Sequence, residues 1–340
     1  MARRGVVSAG CWCVDRNYLI NHWPDEEKHA TILHDELQGG GSGTNMAVDL
    51  KRLGAPFPVE GIGLVGDDSD GRFLLGLCDQ FGIDRRQMRV TSEVPTSVTF
   101  VMTVKATGKR TFFYLPGSLA RITPDHFDFA ATGAAIAHLG IPGTMQVLDS
   151  PWQGDALGWV TVLRKAHAAG LRTSIEMASL PPARIAELAR PCLPHLDYIV
   201  INDHEAGAVS GIAALREDGT ADWEGCRSAA VAILGQSAAE LVVIHFPHGC
   251  VAAARDGTVK VQPAVRVPRE EIAGSNGAGD AFAAGILFGM HEKWPLADSL
   301  ALAHASAAAS LRSITTNGSV ENWKKCLALA ERWGWRETPA

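Results

Sequence analysis

The sequence predicts an α/β fold: a central, mostly parallel sheet flanked by helices, with a small β lid added to it. Three observations support this. Short apolar runs of buried-strand length recur at Val6-Val7, Val59 to Leu64, Ala134 to Leu139, Arg172 to Met177, Tyr198 to Ile201 and Leu241 to Ile244. Amphipathic stretches lie between them, an alternation that fits strands joined by crossover helices. Two of these stretches stop at a C-capping glycine, Thr44 to Leu53 at Gly54 and Ser69 to Phe81 at Gly82.

The lid comes from segments that break this rhythm. Thr96 to Val104 and Arg110 to Leu115 carry β-branched and aromatic residues on either side of a turn, the pattern of an antiparallel hairpin. Together with Cys13 to Leu37 they form a flap over the main body, so residues 1–340 are expected to be a single domain with a lid at about 13–38 and 95–117. The alanine-rich stretch Ala301 to Ala309 suits a closely packed helix.

Composition narrows the partners. With 46% hydrophobic and 20% charged residues over 340 positions, the chain has the balance of a soluble globular protein. Its net charge of -6 leaves no electrostatic footprint for nucleic acid or an anionic membrane, so small molecules are the expected ligands. Seven scattered cysteines without a C-x-x-C pair suit reduced thiols and a cytoplasmic location. The apolar run after Arg3-Arg4 is too short for a secretion signal, and charges or glycines interrupt every other hydrophobic run before it could span a bilayer.

Chemistry concentrates near the C-terminus. Gly274-Ser-Asn-Gly-Ala-Gly-Asp280 runs into an apolar helix on which Phe282, Ile286 and Met290 share a face. The first amides of such a helix are unpaired, and small residues at Gly277, Ala278 and Gly279 let an anion approach the backbone. A carboxylate beside a phosphate cradle repels the ligand unless it has a task such as taking a proton, which singles out Asp280. Taken alone, Asp280 could equally complement the helix dipole.

A resemblance decides between these readings. The segment is similar to the C-terminal signature of the ribokinase-like carbohydrate kinases, the PfkB family. Gly39-Gly-Gly-Ser-Gly-Thr-Asn-Met-Ala-Val-Asp-Leu-Lys-Arg-Leu-Gly54 resembles that family's N-terminal signature. The resemblance implies Asp280 as base with Gly277, Ala278 and Gly279 around the transferring phosphoryl group, and Asp15, Gly40, Gly41 and Asn45 against the sugar. Pro95-Thr-Ser97 and Gly108 to Gly117 resemble the lid hairpin, and Asn202-Asp-His-Glu205 resembles the Asn-x-x-Glu that organises Mg²⁺. Asn202, Gly249, Asn276 and His304 fall on the nucleotide side. The implied protein is an ATP- and Mg²⁺-dependent kinase acting on a hydroxyl of a monosaccharide or sugar derivative. A nucleoside kinase and a catalytically silent binding member are the alternatives, and open lid edges invite a homodimer.

Departures from the pattern also carry meaning. Gly274 and Asn276 replace the Asp and Thr that help hold a monovalent cation in ribokinases, so the resemblance does not extend to that ion. Glu176-Met-Ala-Ser179 stands where the family has Asp-x-Asn, and Phe246-Pro-His-Gly249 where it has Gly-x-x-Gly. Gly61-Ile-Gly-Leu-Val-Gly66 fits a dinucleotide fingerprint literally, but Asp67 and Asp68 follow where a pyrophosphate would be repelled. No G-x-x-x-x-G-K-[ST] loop is present. Trp12 and Trp23, near Asp15 and the lid, leave open an aromatic wall for a sugar or base against simple packing.

Overall fold

The computed structural model describes residues 3–338. Strand β1 (Val6–Gly10) opens a large sheet, while β2 (Cys13–Ile20) and β3 (Ile32–Gly40) leave it for a smaller one and feed helix α1 (Gly41–Arg52). β4 (Val59–Gly66), α2 (Ser69–Phe81) and β5 (Asp84–Thr91) return to the large sheet, and the hairpin β6 (Val98–Val104) and β7 (Arg110–Leu115) completes the small one. Next come β8 (Ile136–Gly140), α3 (Gly158–Ala168), β9 (Arg172–Ile175), α4 (Pro182–Ala189) and β10 (Tyr198–Asn202). They are followed by α5 (Asp203–Ser210), α6 (Trp223–Gln236) and β11 (Leu241–Phe246). The hairpin of β12 (Gly249–Ala254) and β13 (Val259–Pro263) precedes the closing helices α7 (Ala278–His291), α8 (Leu296–Ser310) and α9 (Trp323–Trp333).

The large sheet runs β13-β12-β11-β10-β9-β8-β1-β4-β5 and the small one β3-β2-β6-β7. From β11 to β5 every pairing is parallel; β12 pairs antiparallel with both β11 and β13 and alone runs against the rest. Both faces are covered. Val7 and Ala9 point into a core built with α3 to α6, while Val6 points into one built with α1, α2 and α7 to α9. A strand buried on both faces has no polar side to show, which is why these strands read as unbroken apolar runs.

Local signals set the helix ends. The Asp68 carboxylate accepts from Gly71 N–H at 2.7 Å to start α2, and Gly82 closes it at φ 61°. α1 begins at Gly41, three residues before the periodic apolar pattern, because the extended Gly40 hands the chain directly from β3 into the helix. No helix among the described residues is long and apolar enough to cross a membrane.

Trp12 belongs to the core. It is fully buried, and side chains added at Gly43, Gly61 and Gly63 would come within 2.6, 2.8 and 2.6 Å of its ring. The first two glycines of the dinucleotide-like string therefore make room on β4 for an indole, and Trp12 is no wall for a ligand. Trp23 is half-exposed and stacks on Phe113 with centroids 6.1 Å apart, within the small sheet's own surface.

Gly63→Ala should destabilise the protein by about 1–3 kcal/mol, since the new methyl group has to displace packed indole. Gly76→Ala, in α2 with nothing within 4 Å of the added carbon, should stabilise it by about 0.5–1 kcal/mol. Urea unfolding of the two variants against the parent checks both signs.

Candidate active site

The start of α7 organises the site. Gly277 caps the helix at φ +75°, and a side chain there would overlap Thr316. Its glycine is demanded by backbone conformation. Gly279 differs, because an added carbon would lie 3.7 Å from its nearest protein neighbour, His245. No protein atom requires glycine at that position, so the open space belongs to whatever approaches the helix end.

Asp280, in the first turn of α7, accepts a 3.0 Å hydrogen bond from Asn45 Nδ2 of α1. The Glu176 carboxyl, just beyond β9, lies within hydrogen-bonding reach of Asp280, and His138 Nε2 of β8 lies 3.3 Å from Glu176 Oε2. Protein surrounds the Asp280 carboxyl although the residue still touches solvent, and burial first, then Glu176, holds its pKa well above the usual carboxylate range. Asn45 pulls the other way. Burial lifts Glu176 to about 7 and lowers His138 to about 4, so the imidazole is uncharged.

Asp15, Gly40, Gly41 and Asn45 gather beside this group. A side chain at Gly40 would overlap the Asp15 carboxylate, and one at Gly41 would lie 2.6 Å from Cys11 O. Burial, with a smaller contribution from the charge of Asp280, raises Asp15 to about 6. Asn45 Oδ1, Ser42 Oγ, Thr44 Oγ1, both Asp49 oxygens and His138 Nδ1 are buried without a hydrogen-bond partner. Such a concentration along α1 and the facing strand β8 marks a place where a polar ligand or water belongs. From the small sheet, Tyr114 donates to Thr144 O at 3.1 Å and Arg110 to Ser275 Oγ at 3.4 Å.

On the other side of α7 lies a cavity of about 450 Å³, lined by Asn202, His245, Phe282, Ala278, Gly279 and His304 among others. Asn202 and Glu205 form a reciprocal cap on α5. Asn202 N and Nδ2 donate to the two Glu205 oxygens at 3.0 and 2.8 Å, and Glu205 N donates to Asn202 Oδ1 at 2.9 Å. Burial raises Glu205 to about 7. No cluster of three His, Cys, Asp or Glu among the described residues has metal-site geometry, so a Mg²⁺ here would be held through waters and phosphates beside these hard oxygen donors. His304 meets Phe282 edge-on with ring centroids 4.9 Å apart, and burial lowers it to about 3.

Two expected residues fall elsewhere. Gly249 opens β12 behind the cavity, where its missing side chain accommodates Trp223 and Gln262, and Phe246 and Pro247 take the lining positions. Asn276 turns its amide to Thr316 Oγ1 at 3.1 Å, bracing the loop instead of lining the cavity. Sequence reasoning missed Glu176, His138 and Asp49. The available signals were a carboxylate just past a strand's C-terminal end, an imidazole inside an apolar strand, and an acid one turn after Asn45.

A base-like carboxyl at a helix N-terminus, between a polar pocket and a nucleotide-sized cavity, defines a phosphotransferase with an alcohol group as acceptor. Residues 10–323 match the pfkB family carbohydrate kinase domain, and the chain belongs to that family. It is 25% identical over 338 residues to the 5-dehydro-2-deoxygluconokinase of Shouchella clausii, covering 96% of this chain and 95% of that protein. Two solved structures share the fold. The Arabidopsis thaliana ribokinase complexed with ribose and ATP has a TM-score of 0.77 at 19% identity, covering 97% of this chain and 99% of that one. The Burkholderia thailandensis nucleoside kinase in complex with inosine has a TM-score of 0.72 at 20% identity, covering 98% and 100%.

Glu176 ties stability to pH. The folded protein keeps the Glu176 proton up to about 7, whereas the unfolded chain loses it near 4.5, so native stability falls as pH rises through that window. Glu176→Gln removes the cost of ionisation and should stabilise the protein by about 1–3 kcal/mol at pH 8. The gain should vanish at pH 4 in chemical denaturation; a gain of equal size at both values would contradict the assignment.

Proposed function

We propose that this protein transfers the γ-phosphoryl group of ATP to a hydroxyl, preferably primary, of a monosaccharide or sugar derivative. The observation that carries this reading is the position of Asp280, with Asp15, Gly40, Gly41 and Asn45 on one side and the cavity bearing Asn202, Gly279 and His304 on the other. Asp15 and Asn45 bind and orient the acceptor through its hydroxyls, using a carboxylate and an amide that both accepts and donates. Asp280 takes the hydroxyl proton as that oxygen forms its bond to the γ-phosphorus, and the bond to the β-γ bridging oxygen breaks to release ADP.

The amides at Gly277, Ala278 and Gly279 stabilise charge on the transferring group. Mg²⁺ near Asn202 and Glu205 supplies further charge neutralisation when bound. Residues 1–340 act as one kinase domain in which about 13–38 and 95–117 serve as a lid that excludes water. Tyr114 and Arg110 support that role by reaching from the small sheet to the acceptor side and the phosphate loop respectively. The lid's exposed Phe112, Phe113 and Leu115 favour a homodimer through this sheet.

A riboside acceptor is the second reading. It is favoured by a cavity of about 380 Å³ under the small sheet, with Asn17, Gln38, Arg110, Ile272 and Ile314 in its walls. Asn17 and Gln38 are near neighbours of Asp15 in the sheet, so this room extends the acceptor side beyond one sugar ring.

Asp280→Asn should lower kcat by about 10²–10⁴-fold, while ATP still raises the melting temperature in a thermal-shift assay. Turnover close to that of the parent would remove Asp280 as the base. Assaying ADP release across neutral sugars, polyols and ribosides separates the two acceptor classes. A parent protein that binds ATP yet releases no ADP with any of them would point to a silent binding protein.

A further inference from the structure

The segment after α9 returns to the large sheet. Val265 and Trp335 form a β-bridge, Arg266 N donates to Gly334 O at 2.8 Å, and Arg336 N donates to Ala264 O at 2.8 Å. These ties fix the backbone of Arg336 at the edge of the 450 Å³ cavity, and its side chain forms part of the lining. Arg336 is the only Arg or Lys among the residues lining this cavity.

Its Nε is buried and has no hydrogen-bond partner. The same holds for Nε2 of His304, which lines the same cavity. Burial keeps that imidazole uncharged, so Nε2 can offer a ligand an N–H or a lone pair. Most of the remaining lining is apolar, with Phe246, Val267, Phe282 and Leu311 among it. A buried guanidinium N–H and a buried imidazole nitrogen in an apolar pocket are left in want of partners. A flat heteroaromatic ring with polar edges meets both needs.

We propose that Arg336 reads the nucleobase of the phosphoryl donor, its Nε–H donating to a ring nitrogen or carbonyl oxygen on the base edge while His304 Nε2 makes a second hydrogen bond to the same base. The residue lies beyond the stretch 10–323 that matches the family. The inference rests on the cavity being the nucleotide site.

Isothermal titration of the full chain with ATP, ADP and adenosine, for the parent, Arg336→Met and Arg336→Lys, tests it. Methionine keeps much of the aliphatic stem and lysine keeps the charge, but both lack the Nε–H. Both variants should bind all three ligands about tenfold more weakly, the worth of one well-made hydrogen bond. In steady-state assays the loss should fall on KM for ATP, with KM for the acceptor unmoved and the preference for ATP over GTP narrowed. Unchanged ATP binding by Arg336→Met overturns the proposal. So does weakening confined to ATP and ADP, which would make Arg336 a phosphate contact, or full rescue by lysine, which would reduce its role to charge. A parent protein that binds none of the three ligands defeats the reading of the cavity as well, a different failure from one in which only the variants behave like the parent.

Discussion

The hydrogen bond from Asn45 to Asp280 joins residues 235 positions apart and sets the geometry of everything around it. A carboxyl buried at a helix start needs a donor to offset its desolvation, and α1 supplies one only by packing against α7. That packing fixes the turn before α1. β3 runs into α1 without an intervening loop, so the chain has to reverse at Gly40 and Gly41, with the Asp15 carboxylate and Cys11 occupying the space of any side chain there.

The same arrangement accepts a thermodynamic cost. Asp15, Asp49, Glu176, Glu205 and Asp280 all have raised pKa values, and in each case burial is the largest cause. Asp49 is fully buried with neither oxygen hydrogen-bonded. A fold selected for stability alone would place apolar residues at such positions, and violations of local rules collect where a site has to stay responsive to its ligands.

Much of the fold was legible because its strands are buried on both faces and its helices carry their own stop signals. The small sheet was legible for the opposite reason, since β-branched and aromatic runs broke the helical rhythm. Asp280, Asn45 and Asn202 were readable because each sits in a short local pattern. Glu176 and His138 were not, because their meaning comes from the neighbouring parallel strands β8 and β9 brought together by the sheet, and nothing adjacent in sequence announces it. Trp12 stayed open between wall and core for the same reason. An aromatic next to a substrate-side aspartate suggests a wall, but the glycines that receive it lie about fifty residues on, in β4.

The sheet order explains why the polar group around Asp15 and Asn45 and the cavity beside Asn202 meet at one helix end. From β1 the chain adds β4 and β5 on one side, then crosses to β8 on the other, so β1 and β8 flank a topological switch point. Crevices open at the carboxyl ends of parallel strands where the winding reverses. Gly10 and Gly140 are paired at that end, and a side chain on Gly140 would overlap Ser42 at the start of α1. Acceptor-side residues thus fill the switch point, while Asn202 and His245, paired at the ends of β10 and β11, form the floor of the second cavity. Helix α7 begins between the two, and this accounts for the division of labour within its first residues. Gly277 answers to Thr316 and the backbone, Gly279 faces the open cavity, and Asp280 turns toward Asn45.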